Sequence, residues 1–532
     1  MIPVLTKEQT YRLDKDIIDT GHLSEEKLMD NAGKAVAQFF CEKTDDPFNQ
    51  KVVVICGKGN NGGDGVITHY YLKKYNVLSK IVFTEEKHGH SKLLKKYKIS
   101  KSEYSDYNDK TKFDKYDWII DGIFGIGLSR DLNNKYIEII KALNINGKII
   151  SIDIPSGLFS NTSIDSVYIK AKHVITFNYP KLGHFINPIN SLIVKNIGFQ
   201  EKKSRIVKNI RYQLNKDSNY FKVEFSDVSK ILKKLLNKKN IHKYFSRVNI
   251  SAGSKEYPGA AILCCNAAIK TGSGYVALYS DDEDLFSDLP LKLPEVVINK
   301  PLGKFDFGIS PFLMGPGDNS SFFESYLMDC MTFHEHYDPS FCHYSWDPID
   351  NPEHKKSDID ARASHHVPPL VLDGICLQEG QLEHMADCIM TPHIGELQRM
   401  LGIKKKLMLS AVIFKDIQSK IGKSKLLWGG EDKIVILKTF NTFIITKDII
   451  YIMDRGPSLL ATAGTGDVLS GILVSLLSQG YSRLEASILG TYLHAEAANY
   501  YMNNISKDGM TASDLIDCIP HAFKILRQCD EY

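Results

Sequence analysis

Nowhere in its 532 residues does the chain run through about eighteen uninterrupted apolar positions, so no segment reads as a membrane-spanning helix. Its opening, Met1-Ile2-Pro3-Val4-Leu5-Thr6-Lys7, passes into charges without an apolar signal core. Ten cysteines are scattered without a Cys-x-x-Cys pair, which fits a reduced, intracellular protein better than a disulfide framework. Cys56, Cys264 and Cys265 sit in apolar runs and are expected buried and reduced, the last two as helix core. A basic stripe is also missing. The net charge is +3, and the Lys-rich stretches near 92–101 and 230–243 lack the interleaved aromatics of a nucleic-acid platform. No internal repeat is present. These absences place the chain in the cytoplasm, with neither membrane nor nucleic acid as partner.

What remains is ordinary globular composition, 43% hydrophobic and 24% charged, on a length that exceeds one hydrophobic core and implies two or three domains. In the first half, helices over roughly 7–20 and up to Phe40 precede a strand at Lys51–Cys56, a helix after Asp64 and a strand at Lys80–Thr84. Further strands are expected at Asp117–Ile120, Lys148–Ile152, His173–Thr176 and Ser191–Val194. Short apolar strands alternating with helices predict a parallel sheet covered on both faces, with ligands at the strands' carboxyl ends. Gly57, Asp121 and Asp153 all sit at such ends. The polar stretch 200–222 shows no persistent apolar pattern and reads as a connection. A second domain begins near Phe225, with a strand at Arg247–Ile250, a helix from about Gly259 to Lys270, and later βα units around Phe312–Gly317, Pro369–Asp373 and Ile389–His393. Both halves are therefore α/β, each a doubly wound sheet.

Two glycine-rich turns carry the chemistry. In Gly57-Lys58-Gly59-Asn60-Asn61-Gly62-Gly63-Asp64-Gly65, clustered glycines let backbone amides approach an anion, and two amides and a carboxylate add polar recognition. Gly57, Gly59 and Gly62 alone would satisfy a dinucleotide fingerprint, with Glu85 or Glu86 as a ribose carboxylate, but the same spacing also occurs in plain tight turns. The second turn, Ala461-Thr462-Ala463-Gly464-Thr465-Gly466-Asp467, leads into the helix-compatible Val468-Leu469-Ser470-Gly471-Ile472-Leu473. An anion hole beside a carboxylate that orients a hydroxyl nucleophile is what phosphoryl transfer requires. Asp467 as a simple helix cap, Asp153 as an N-cap or turn carboxylate, His393 as a satisfied core or loop histidine and Lys438 as a solvated lysine are the plainer alternatives.

Across residues 1–212 the Asn60 loop, Asp121-Gly122-Ile123-Phe124-Gly125-Ile126-Gly127-Leu128-Ser129-Arg130 and Ser151-Ile152-Asp153-Ile154-Pro155-Ser156-Gly157 resemble the NAD(P)H-hydrate epimerase family. Lys58 stands where that family has proline. The resemblance implies a Rossmann-like three-layer domain. Asn60, Asn61, Gly62, Gly63 and Asp64, with Gly125, Ile126, Gly127, Leu128, Ser129, Arg130 and Asp131, would hold the hydrated dinucleotide. Asn61, Asp121 and Ser156 would bind a potassium ion, and Asp153 would bind substrate and exchange a proton at C6.

Beyond a linker at 213–224, residues 225–532 resemble ribokinase-like proteins and, more narrowly, the NAD(P)H-hydrate dehydratase family. The matching runs are His242–Val248, Gly253–Ala261, Met314-Gly315-Pro316-Gly317, Thr391-Pro392-His393-Ile394-Gly395-Glu396 and the Gly464–Asp467 turn. By that resemblance Ala260, Gly317, His393 and Asp467 contact the hydrate. Lys438, Thr439, Phe440, Asn441, Thr442 and Gly466 contact ADP or ATP bound with magnesium, ADP being expected from the order of fusion. Asp318 and Asp373-Gly374-Ile375 depart from the family pattern. The His-rich run 330–368, with His334, His336, Cys342, His343, His354, His365 and His366, is expected to be a polar surface insertion, its spacing too irregular for zinc. The expected substrates are the R and S hydrates of NADH and NADPH. The competing expectation is a small-molecule kinase fused to a non-catalytic dinucleotide-binding module, and the residues leave homo-oligomerisation open.

Overall fold

The computed structural model describes residues 1–108, 110–145, 147–199, 205–234, 243–280, 285–299, 310–317, 369–380, 382, 388–422 and 433–528. The insertion 330–368, Asp318 and His242 lie outside them. The chain divides into two compact units: Ile2–Lys222 with Met408–Phe414, and Val223–Leu407 with Lys415–Tyr532 and Met1.

The first unit runs β1 (Ile2–Pro3), α1 (Lys7–Asp19), α2 (Glu25–Lys43), β2 (Lys51–Cys56), α3 (Asn60–Lys74), β3 (Leu78–Phe83), α4 (Ser91–Lys96), β4 (Tyr104–Asp106) and β5 (Trp118–Gly122). It continues through α5 (Asn134–Asn144), β6 (Ile149–Ile152), β7 (His173–Phe177), α6 (Gly183–Ile186), β8 (Leu192–Lys195), α7 (Arg205–Asp217) and β9 (Tyr220–Lys222). Its seven-stranded sheet has the order β4-β3-β2-β5-β6-β7-β8, with every neighbouring pair parallel. Strand β2 shows why the apolar run works. Val52, Val54 and Cys56 enter one hydrophobic cluster and Val53 and Ile55 the other, so period-two alternation feeds two cores. Chain direction across the sheet reverses between β2 and β5, and the turns after those strands open at this switch point.

Two expectations need correction here. Helix α3 begins at Asn60 rather than after Asp64, because Gly59 serves as its N-cap and the Asn-Asn-Gly-Gly run forms its first turn. Residues 205–217, expected to be irregular, form α7. Val207, Ile210 and Leu214 repeat at helical spacing and pack with Leu13 and Ile17 of α1, a stripe too sparse to stand out among lysines and asparagines.

The second unit comprises α8 (Phe225–Lys233), β10 (Arg247–Ser251), α9 (Pro258–Thr271), β11 (Tyr275–Tyr279), α10 (Leu285–Lys292), β12 (Val296–Asn299), β13 (Phe312–Met314), β14 (Leu370–Leu372) and β15 (Cys388–Met390). After these come α11 (Ile394–Met400), α12 (Ala411–Gly422, of which Ala411–Phe414 count with the first unit), β16 (Ile434–Lys438), β17 (Thr442–Ile445), β18 (Ile450–Met453), α13 (Thr465–Ser478), α14 (Arg483–Asn504) and α15 (Ala512–Gln528). Strands order as β18-β17-β16-β15-β14-β13-β10-β11-β12, parallel from β10 to β16 and antiparallel at β17 and β18. The switch point lies between β10 and β13. Helix α9 carries Ala261, Cys264, Cys265 and Ala268 into the core. Small side chains there let α13 approach closely: a Cβ on Gly471 would stand 2.4 Å from the Cys264 carbonyl oxygen. The adjacent cysteines are helix core, as expected.

Candidate active sites

The Gly57 turn leaves β2 at the first switch point. A Cβ on Gly57 would stand 2.0 Å from the Ile123 carbonyl oxygen, and one on Gly62 1.9 Å from that of Gly57, so both positions exclude any side chain. His90 braces the turn with Nε2 2.8 Å from the Gly57 carbonyl oxygen. Since α3 opens at Asn60, the amides of Asn60 and Asn61 have no partner within the helix and carry the positive end of its dipole.

Beside this turn lies a cavity of about 1230 Å³. Asn60, Asn61, Asp64, Gly125, Ile126, Gly127, Leu128, Arg130, Asp131 and Asp153 line it, together with Tyr11, Asp14, Glu85 and Lys181. Gly62 packs on Gly57 behind the wall, Gly63 faces Met29, and Ser129 is not among the lining residues. Glu85 accepts a 2.7 Å hydrogen bond from Tyr136 and lies 3.8 Å from the Lys58 ammonium, so Lys58 already has a carboxylate beside it.

Asp153 follows β6 in the left-handed region, φ 66°. Its carboxylate accepts from the Ile126 amide (3.2 Å), Thr176 Oγ1 (3.1 Å) and the buried Lys181 ammonium (2.9 Å), so it is no local turn cap. Lys181 also donates to Thr176 Oγ1 at 2.6 Å. His184 Nδ1 accepts the Lys181 amide, which leaves Nε2–H to donate to the Asp153 carbonyl oxygen at 2.8 Å. Burial pulls His184 down to about 4, keeping it neutral. Burial alone would raise Asp153, but the charge and hydrogen bond of Lys181 overturn that and hold it below the usual carboxylate range. Neighbouring acids go the other way. Asp14 is pushed up to about 6 by burial, with Lys181 opposing and Asp153 adding, and Asp64 rises well above its ordinary value through burial and the charges of Asp153 and Asp14. One cavity thus holds an ionised carboxylate and two that retain protons more tightly, the separation that acid and base roles need. Sequence reasoning missed Asp14, Lys181 and His184. Asp14 sits on an ordinary amphipathic helix, and only the fold brings it to Asp153.

Asp121 lies deeper and is fully buried. Its carboxylate accepts from the Ile123 and Ser156 amides and from Ser151 and Ser156 hydroxyls. Burial raises its pKa, and among the described residues no cationic side chain pairs with it. The side-chain Nδ2 of buried Asn61 has no partner there either. The oxygens of Asp121, Ser156 and the Asn61 side chain are of the type a hard monovalent cation takes, whereas the Asn61 Nδ2 can only donate a hydrogen bond.

In the second unit Gly464, at φ 86°, caps α13 with no side-chain cap bond, and the helix starts at Thr465, three residues before the expected Val468. Gly466 and Asp467 thereby occupy its first turn, where amides lack helical acceptors. Asp467 is pushed up to about 6, first by burial and then by Asp373, with Lys438 pulling down and Glu396 adding. Lys438 ends β16. Its amide donates to the Pro392 carbonyl oxygen and its ammonium lies 3.2 Å from Asp373 Oδ1. A Cβ on Gly466 would be 3.2 Å from that ammonium, so the two expected nucleotide residues are neighbours. Thr439, Phe440 and Asn441 form the hairpin tip, closed by Thr439 Oγ1 donating to the Asn441 carbonyl oxygen, and Thr442 pairs with Lys438. His393 is not a core histidine: its side chain is 59% exposed. It N-caps α11, Nδ1 accepting the Gly395 and Glu396 amides while Glu396 accepts the His393 amide. Ala260 and Gly317 face one another, a Cβ on Gly317 falling 2.8 Å from that of Ala260. One turn along α9, the Cys264 thiol reaches the Asp467 carbonyl oxygen at 3.4 Å. Asp373 and Ser470, which join Lys438 to α13, were not singled out as site residues from the sequence.

Comparison with known proteins follows the same division. The family model described as "YjeF-related protein N-terminus" matches residues 25–183, and that described as "NAD(P)H-hydrate dehydratase" matches residues 350–521. A Dictyoglomus turgidum protein named "Bifunctional NAD(P)H-hydrate repair enzyme Nnr" is 30% identical, covering 98% of this chain and 98% of its own. A Thermofilum pendens protein of the same name is 28% identical, over 97% of this chain and 95% of its own. Among solved structures, the ADP/ATP-dependent NAD(P)H-hydrate dehydratase of Bacillus subtilis, co-crystallised with ATP and Mg2+, is 22% identical over 57% of this chain and 97% of that one, with a TM-score of 0.41.

Proposed function

The chain belongs to the bifunctional NAD(P)H-hydrate repair enzymes, and on that premise we propose that its first unit interconverts the R and S hydrates of NADH and NADPH while its second dehydrates the S form at the expense of a nucleotide. Hydration of the ring yields both epimers, so a dehydratase that accepts one strands the other unless an epimerase accompanies it. Relatives aligned along the whole chain do not favour a plain kinase fused to an inert binding module.

In the first unit the cavity admits the hydrated ring beside Asp153, with the phosphates toward Asn60, Asn61 and the Gly125–Asp131 loop. Inversion at C6 needs a proton delivered to the departing oxygen and one removed from the incoming one. Asp153, kept ionised by Lys181, removes it. Asn61, Asp121 and Ser156 would hold a potassium ion, whose charge would compensate the buried carboxylate and stiffen the loops around it.

In the second unit Asp467 takes the proton of the C6 hydroxyl as its oxygen attacks the terminal phosphorus of ADP or ATP. The first-turn amides of α13 and the Lys438 ammonium receive the charge that builds on the transferring group. Magnesium carried with the nucleotide supplies further neutralisation. The C6–O bond then breaks, a C5 proton leaves, and inorganic phosphate departs as the C5–C6 double bond of the reduced dinucleotide forms. We assign ADP as the donor and the cytoplasm as the compartment. His393, Ala260 and Gly317 contact the hydrate.

The observation that carries this reading is the acidic side chain Asp467 in the uncapped first turn of α13, with Lys438 beside Gly466. Racemic hydrate mixed with the full chain and ADP or ATP tests it: complete recovery of reduced-nicotinamide absorbance requires both activities, recovery of half indicates an inert first unit, and none refutes the reading.

A further inference from the structure

Resting on the dehydratase reading, we propose that Asp373 is a positioning residue for the phosphoryl transfer, holding the Lys438 ammonium against Gly466 so that cation and helix start act as one phosphoryl cradle. Three elements meet on this carboxylate. From the end of β14 the side chain is only 4% exposed. Its Oδ1 accepts the Gly374 amide at 3.0 Å and the Lys438 ammonium at 3.2 Å, while Oδ2 accepts the Ser470 hydroxyl at 2.7 Å. Ser470 lies one turn along α13 from Gly466, whose carbonyl oxygen is 3.2 Å from the same hydroxyl. Asp373 therefore ties the tip of β16 to the helix whose first turn carries Gly466 and Asp467.

A carboxylate beside an anion cradle would repel phosphate unless its charge were used elsewhere. Here Lys438 uses it. A lysine has four rotatable bonds and a compact charge, so without an anchor its ammonium samples a wide volume. Anchored through Oδ1, it stays over Gly466, and the Ser470 bond keeps Asp373 in register with the same helix. Ser470 and Asp373 are both buried, so solvent does not compete for these bonds.

The same arrangement bears on Asp467. The groups facing it are Asp373 from β14, Lys438 from β16 and Glu396 from α11. Cys264 of α9 reaches its carbonyl oxygen, and His494 of α14 contacts the Thr465 carbonyl oxygen nearby. Asp373 raises the proton affinity of Asp467 and Lys438 lowers it, so removing either should displace the acid limb of the pH–rate profile, in opposite directions.

The experiment measures dehydration of the S hydrate by the full chain between about pH 5 and pH 8. With Asp373→Asn, nucleotide KM rises roughly tenfold, hydrate KM holds, and the acid limb moves down by roughly one pH unit. Lys438→Met likewise raises nucleotide KM but moves the limb up. Ser470→Ala raises nucleotide KM less and leaves the limb in place, and the Asp373→Asn, Lys438→Met pair is no worse for nucleotide than Lys438→Met alone. Acid limbs of Asp373→Asn and Lys438→Met that coincide with wild type, or an Asp373→Asn effect confined to kcat, would overturn the proposal. Should Asp373→Asn not fold, the Lys438→Met and Ser470→Ala arms still decide it. Wild-type protein that regenerates no reduced cofactor defeats the dehydratase reading instead. ADP titrated calorimetrically into wild type and Asp373→Asn would then test the cradle alone, equal affinities sinking it.

Discussion

Each unit sets a carboxylate beside its sheet, Asp153 just after β6 and Asp467 in the first turn of α13, yet the two are treated in opposite ways. Asp153 is gripped by Lys181, Thr176 and the Ile126 amide and stays ionised. Asp467 stands at a helix start and is pushed up to about 6. Similar architecture therefore sets no pKa; the neighbours do. Two further acids, Asp14 and Asp64, stand near Asp153, whereas the charges of Asp373 and Glu396 on Asp467 are opposed by Lys438.

The largest effect separates the two chemistries. Asp467→Asn should lower dehydration of the S hydrate by roughly a thousandfold and leave epimerisation intact, and Asp153→Asn should do the converse, each consistent with loss of a group that carries a proton in the transition state. Single-epimer hydrates followed by chromatography read the two rates independently. Cross-talk between the two variants would erase the distinction drawn above.

Next comes the counter-charge. Lys181→Met leaves Asp153 buried without its partner, and removing one member of such a pair costs about 3 kcal/mol. The sign follows from linkage. In the wild type the folded pKa of Asp153 is depressed, so its contribution is fully present above the unfolded value near 3.9 and is lost as pH falls through the lower folded value. Urea unfolding should therefore show the variant deficit at neutral pH shrinking as the solution is acidified below about pH 4. A deficit constant across pH would mean that Lys181 acts by packing alone.

Much of this was legible in the chain. The apolar runs of β2, β5, β6 and β7 show where each strand lies, because strands buried on both faces admit little else. The turns declare themselves through clustered glycines, of which Gly57 and Gly62 tolerate no Cβ. Helix α7 was hidden because three apolar residues among many polar ones form a weak stripe until α1 covers them. Lys181 and Asp373 were hidden for another reason. Each acts on a residue distant in sequence, Lys181 on Asp153 and Asp373 on Lys438, and a lone lysine or aspartate at a strand end has no local mark of its partner.

The glycines sharpen the contrast at a smaller scale. Gly62→Ala forces a Cβ within 1.9 Å of a backbone carbonyl oxygen and should cost about 2 kcal/mol, together with affinity for the hydrate. Gly466→Ala meets no backbone, only the Lys438 ammonium at 3.2 Å and Asp373 Oδ2 at 4.0 Å, so melting should hardly move while nucleotide KM rises. Gly62 is demanded by the fold, Gly466 by the ligand its turn would hold. Equal melting losses in the two variants would contradict that.

The smallest effect concerns Asp14, which faces the same cavity as Asp153. Burial and the Asp153 charge raise its pKa to about 6 despite Lys181, so folding makes its ionised form costly. A carboxyl raised in this way favours the folded state in acid, and that advantage disappears as pH climbs through 6. Asp14→Asn should therefore gain about 1 kcal/mol in urea unfolding at neutral pH, a value discounted for partial solvent contact, and gain nothing below about pH 4. Epimerisation should fall in the same variant, since a group kept at a stability cost beside the base is available to return the proton. A variant that is more stable at neutral pH yet fully active would make Asp14 a bystander and leave Asp64 as the acid opposite Asp153.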